Sequence, residues 1–126
     1  MSKLLTNTVP ITIDQLASSG SATLVPVSGY LKGVSVLAGA MDGSDTYTVA
    51  ITDKIGATVF SRATLAEGSR STIWADKYNE LSTTKVEGSL LNTPMAGPVT
   101  VTVTASAQQD DASVDYKVTI YYSDSI

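Results

Sequence analysis

Residues 98–122 are written as two runs of strict alternation, and no other stretch constrains the fold as tightly. Val99, Val101, Val103 and Ala105 fall on one side, with Thr100, Thr102, Thr104 and Ser106 on the other. After a polar break at 108–112 the pattern resumes: Val114, Tyr116, Val118, Ile120 and Tyr122 against Asp115, Lys117, Thr119 and Tyr121. A period of two is the mark of antiparallel strands with one face on a core and one toward water. Such strands build a scaffold, and by themselves they carry no chemistry.

The absent residue types narrow the chemistry further. The chain has neither histidine nor cysteine, so imidazole, the usual acid/base group near neutral pH, is missing. Ser-His-Asp and Cys-His constellations, Cys/His zinc sites, haem ligation through those residues, iron–sulfur clusters and disulfides are excluded with it. Catalysis would have to rest on carboxylates, Lys, Tyr or an unusually activated Ser or Thr, and the expectation is a protein that is not an enzyme and holds no cofactor.

A length of 126 residues matches one domain able to bury about two-thirds of its unfolded surface. The net charge of -4 and eight scattered Lys and Arg residues argue against nucleic acid as a partner, since phosphate backbones are bound by clustered positive charge. Lys3-Leu4-Leu5 passes at once into Thr6-Asn7-Thr8. That apolar run is too short for a secretory core or a membrane span, so the expectation is synthesis in the cytosol without a signal and no membrane partner.

Further strands are expected along the first half. Val9, Ile11 and Ile13 alternate with Thr8, Pro10 and Thr12, and Pro10 assigns this strand to an edge because it has no N–H for a ladder. Residues 22–27 form a second strand, again marked by a proline, Pro26, and residues 30–37 a third in which Gly33 invites a bulge. Residues 46–52 and 57–62 read as a hairpin about Asp53-Lys54-Ile55-Gly56, followed by a strand over 69–74. Asp14 to Leu16 suit one turn of helix, ended by the Ser18-Ser19-Gly20-Ser21 run. Residues 75–97 are the least patterned, with a short strand expected over 85–91 and a turn over 92–94. Leu81, Val86, Leu90, Leu91 and Met95 there serve either as caps on the open end of the core or as part of a contact loop.

The count is about eight short strands with no segment of helical periodicity, which predicts a single all-β antiparallel sandwich of jelly-roll or Ig-like type over residues 14–126, preceded by an N-terminal arm or edge strand over 1–13. The inward set is Val34, Val36, Tyr47, Val49, Ile51, Val101, Val103, Val114, Tyr116, Val118 and Ile120, with Trp74 expected to join them.

Three clusters offer chemistry, each with a plainer alternative. Asp42-Gly43-Ser44-Asp45 can be read as an oxygen-rich cation loop, but calcium needs more ligands than two carboxylates, and a glycine turn explains the same residues. Asp110-Asp111, with Asp115 close in sequence, can be read as a hydrolytic carboxylate pair, although adjacent aspartates more often solvate a turn. Tyr121 and Tyr122 point to opposite faces of one strand, so one belongs to the core and the other, with Tyr78 and Tyr30, to a contact patch. No catalytic or metal-binding residue is assigned. The partner-contact candidates are Leu4, Leu5, Val9, Ile11, Tyr78 and Tyr121.

The order Ser28-Gly29-Tyr30-Leu31-Lys32-Gly33-Val34, then Asp45-Thr46-Tyr47-Thr48-Val49-Ala50-Ile51-Thr52-Asp53 and Gly56, then Gly97-Pro98-Val99-Thr100-Val101-Thr102-Val103 and finally Val118-Thr119-Ile120-Tyr121-Tyr122 resembles the small β-sandwich structural proteins of tailed bacteriophages. The chain is similar in particular to capsid decoration (cement) proteins, and less distinctly to neck and tail accessory proteins. That resemblance implies a virion protein on the outer surface of the capsid, with the major capsid protein as its partner. It further implies a homotrimer on local three-fold axes, one segment of each copy adding to capsid strands, so that the shell is stabilised. A carbohydrate-binding or adhesion module with exposed aromatic residues, and a carboxylate-only hydrolase, are the readings from other classes.

Overall fold

The computed structural model describes residues 4–43, 45–66, 70–74 and 93–124, with 70–74 and 93 described through the backbone. Nine strands lie among them: β1 (Leu5–Ile13), β2 (Ser19–Val25), β3 (Gly29–Ala38), β4 (Thr46–Thr52), β5 (Thr58–Ala66), β6 (Arg70–Trp74), β7 (Thr93–Met95), β8 (Val99–Ala105) and β9 (Val114–Ser123). No helix among the described residues is long and apolar enough to cross a membrane.

The strands form two antiparallel sheets. One has the order β1-β9-β3-β6, with β7 also paired to β3, and the other the order β2-β8-β4-β5. The first and last described strands therefore lie side by side in one sheet, β1 against β9, while the next pair inward, β2 against β8, lies in the other. This nested winding is a jelly roll, and it decides between the two sandwich types left open by the sequence.

Alternation explains why these strands stack. β8 and β4 show the same buried-then-partly-exposed rhythm, and β9 repeats it through Ile120. All eleven inward residues named above other than Trp74 are buried, and they form a single cluster with Ile11, Ile13, Leu31, Val59, Phe60 and Val99. At its centre the rings of Tyr47 and Tyr116 meet edge to face, with centroids 5.2 Å apart. Trp74 is the register partner of Gly33, and its side chain lies outside the described set.

Several boundaries depart from expectation. β1 begins at Leu5, not Thr8, because the polar residues Thr6 and Asn7 still find ladder partners in Tyr121 and Ile120 of β9. β2 begins at Ser19, within the run read as a breaker, and ends at Val25. Residues 92–94 were expected to turn, but Thr93–Met95 pairs with Gly29 to Leu31 of β3. A strand of three residues around a proline shows no alternation that a sequence reading can detect. The short strand expected over 85–91 lies outside the described residues, as do Leu81, Val86, Leu90 and Leu91; Met95 is buried in the core.

The bulges follow the chain's conformational marks. β3 gains an extra residue between Leu31 and Gly33 relative to β9, where the glycine suggested it. β2 gains one between Ala22 and Val25, and β5 gains one opposite each of two steps of β4. Leu24 and Thr64, with φ of 56° and 61°, sit in two of these bulges, in the left-handed conformation that one class of bulge uses. The β4–β5 hairpin turns as expected, with Gly56 at φ 90°. Asp53 Oδ1 accepts hydrogen bonds from the amides of Ile55 and Ala57 at 3.2 and 3.0 Å.

Candidate functional site

Three loops converge at one end of the sandwich: β1–β2, β3–β4 and β8–β9. Gln109 joins them. It is fully buried, and each of its polar atoms has a partner from one of these loops. Its Oε1 accepts from the Asp42 amide at 2.9 Å, and its Nε2 donates to Asp45 Oδ2 at 2.9 Å and to the Ala107 carbonyl at 3.0 Å. Its own amide donates to the Ala17 carbonyl at 2.9 Å, and its carbonyl accepts from the Leu16 amide at 2.6 Å. A buried amide side chain is tolerable only when so satisfied.

The carboxylates of the supposed cation loop serve the same bracing. Asp42 Oδ2 accepts from the amides of Asp110 at 2.6 Å and Asp111 at 3.4 Å, while Asp45 Oδ2 holds Gln109. Gln15 Nε2 reaches the carbonyls of Asp110 and Asp111 at 3.0 and 3.4 Å. Asp110 and Asp111 are exposed, so they line no enclosed cleft in which a scissile bond could be flanked. Asp115 lies in β9 on the outer face of the sheet and accepts from Thr12 Oγ1 at 2.8 Å. Among the described residues no group of three or more acidic, His or Cys side chains is placed to hold a metal ion.

Gln109 was not singled out by sequence. It sits in the polar break with Gln108, and nothing local distinguishes the exposed Gln108 from its buried neighbour. Only the arrival of loops from residues 42–45 and 14–17 makes the difference.

The partner-contact candidates are dispersed over the β1–β9 side. Leu4 is 55 % exposed, and Leu5 and Val9 are half-buried, Val9 packing against the core. Ile11 corrects the expectation: at 2 % exposure it belongs to the core, because the inward parity of β1 deepens toward its C-terminal end. It cannot reach a partner without unfolding. Tyr121 is half-buried, in register with Thr6 and Gly33 on its two sides. Tyr122 packs against the core without being fully buried. Tyr78 lies outside the described residues.

The outer faces are ladders of small polar side chains. Thr8 and Thr119 share a hydrogen bond of 2.8 Å between hydroxyls, and Thr100, Thr102 and Thr104 form a row on β8. A wide-open recess of about 490 Å³ is bordered by Leu24, Pro26, Val27, Ser28, Gly97 and Pro98 at the opposite end from Gln109.

No protein-family model matches the chain, and no curated protein matches it. Solved structures are similar at low identity. A chain from Bacillus endospore appendages, described as disulfide-linked pili, is 14 % identical, with 97 % of this chain and 89 % of that one covered and a TM-score of 0.45. A chain of infectious bursal disease virus, Gx strain, is 12 % identical, with 96 % and 32 % covered and a TM-score of 0.44. A family two carbohydrate esterase from Cellvibrio japonicus is 13 % identical, with 97 % and 34 % covered and a TM-score of 0.46. The chain spans about a third of the length of the last two. The fold shown by the strands themselves is an all-β jelly-roll sandwich.

Proposed function

We propose that this protein is a non-enzymatic structural component of a virion, a decoration protein that binds the outer surface of a phage capsid through the major capsid protein and stabilises the shell. One observation carries the structural, non-enzymatic part: four of the eight described aspartates, the groups on which a His- and Cys-free enzyme would draw, have their carboxylates engaged in bracing loops and strands. Asp42 and Asp45 hold the β8–β9 turn through Gln109 and backbone amides, Asp53 holds its own hairpin, and Asp115 holds β1 to β9 through Thr12. The outer faces, rich in Thr and Ser, suit broad contact with another protein surface. The capsid location rests on the resemblance of the strand and turn order to decoration proteins.

The test is co-sedimentation of the purified protein with expanded shells of the phage's own major capsid protein that lack decoration. Saturable binding with a fixed number of copies per shell, and a raised melting temperature of the decorated shell, is the expected result. Absence of binding to shells overturns the proposal. Binding to isolated necks or tails would transfer the protein to the accessory class, and glycan binding alone to the adhesion class.

A further inference from the structure

The sheet edges are not alike. β2 and β5, the edges of one sheet, are broken by bulges, and the far edge of the other is divided between β6 and β7. β1 keeps register with β9 over every residue from Leu5 to Ile13 with no bulge, and it carries no charged residue. Natural edges are ordinarily guarded by charges, bulges or brevity, and a long, regular, neutral edge is a template for another strand.

The backbone of β1 shows which groups are free. Gly20 of β2 comes so close to the Thr12 carbonyl oxygen that a Cβ there would overlap it, so this carbonyl points away from β9. In an antiparallel strand alternate residues direct both N–H and C=O to the same side. Thr6, Thr8 and Pro10 therefore also present their backbones outward, and Pro10 loses no ladder bond by lacking its N–H. Near Thr12 the edge is closed by β2, and Pro10 removes the next donor. Among the described residues no strand pairs with the outer side of residues 4–8, which form a run ending at that proline.

From this edge we propose that two copies of the chain pair antiparallel through Leu4 and the first four residues of β1, centred on Thr6, to form one continuous sheet across a two-fold axis. In this register Thr6 lies opposite Thr6 of the second copy and Leu4 opposite Thr8, so every outward N–H and C=O of Leu4, Thr6 and Thr8 is matched and neither Pro10 is used. No like charges face one another, which removes the usual obstacle to a strand pairing with itself. The exposed Leu4 is covered by the contact. An isologous contact closes at two copies, so it makes a dimer rather than the trimer implied by the resemblance. The pairing does not depend on the virion reading.

Sedimentation velocity of the full chain over a range of concentrations tests it, with charge variants at the centre of the ladder. The wild type should pass from the mass of one chain to that of two. Thr6→Glu and Thr6→Lys, which stand on an exposed face, should each keep the wild-type melting temperature at concentrations where every form is a single chain, and raise the dimer dissociation constant several-fold by like-charge opposition. Mixing the two variants should restore a dimer. Thr6→Pro with Thr8→Pro, removing outward donors only, should abolish pairing while leaving the β1–β9 ladder in place. A wild type that stays at one-chain mass overturns the proposal, as does a three-chain mass. Self-association unaffected by these variants overturns it too. Protection of the Thr6 and Thr8 amides that arises only when another protein is added would assign the edge to a partner of different sequence, and would likewise overturn it.

Discussion

Removing the Gln109 side chain should loosen the loop end of the sandwich and lower global stability without altering the sheets. Gln109→Ala strips partners from the Asp42 amide, the Ala107 carbonyl and the Asp45 carboxylate. Taking about 1 kcal/mol for each neutral bond and about 1.5–3 kcal/mol for the one to a carboxylate gives roughly 3.5–5 kcal/mol. Asp42 and Asp45 are only half-buried, so water entering the gap recovers part of this, and a loss of about 2–4 kcal/mol is expected. With an unfolding entropy of roughly 2.1 cal/mol/K per residue, 126 residues give about 0.26 kcal/mol per degree, so a 3 kcal/mol loss lowers Tm by about 11 °C. Urea titration and thermal melting at pH 7 measure it, and amide exchange at Asp42 reports the local opening. Gln109→Glu separates polarity from volume. It keeps the shape but sets a second carboxylate against Asp45 in a buried site, so its cost at pH 7 should equal or exceed that of alanine. The new carboxyl would have a folded pKa raised above its unfolded value of about 4.3. Its penalty is therefore complete above the folded pKa and fades as pH falls toward the unfolded one. A loss below about 0.5 kcal/mol for Gln109→Ala, the usual range of an inert surface change, would refute the view that this side chain ties the loops together.

The remaining predictions concern the core and the carboxylate loop. Val103→Asp or Val118→Asp, at positions with 0 % exposure, should cost several kcal/mol and threaten a domain whose whole stability is about 5–15 kcal/mol, whereas Thr102→Asp on the opposite face of β8 should be mild. Equal damage from both in urea titration would contradict the assignment of faces. Incubation with EDTA should leave Tm nearly unchanged, because Asp42 and Asp45 accept hydrogen bonds from Asp110, Asp111 and Gln109. A large fall would restore the cation reading of that loop, since a ligand at a hundredfold excess over its Kd contributes about 2.7 kcal/mol.

Local pattern alone was enough to establish the class of the fold and the inner face of its best-patterned strands. In and out alternate with a period of two along any half-buried strand, so Val101, Val103, Val118 and Ile120 declare their side of the sheet without reference to any distant residue. The missing His and Cys likewise removed whole categories of chemistry before any geometry was known. Partnership, by contrast, came from contacts between distant parts of the chain. Strands made of Val, Thr and Tyr are interchangeable as neighbours, and nothing local says that β1 returns to β9 or β2 to β8. Thr93–Met95 is too short to display a period, and acquires its strand conformation from β3. Asn7, polar and unpatterned, is held because Ile120 stands opposite it. Gln109 is buried, and Gln108 exposed, because loops from far along the chain close over one and not the other. Alternation is a property of a single strand and can be read from it, whereas pairing and loop closure depend on which distant backbone groups complete one another's hydrogen bonds.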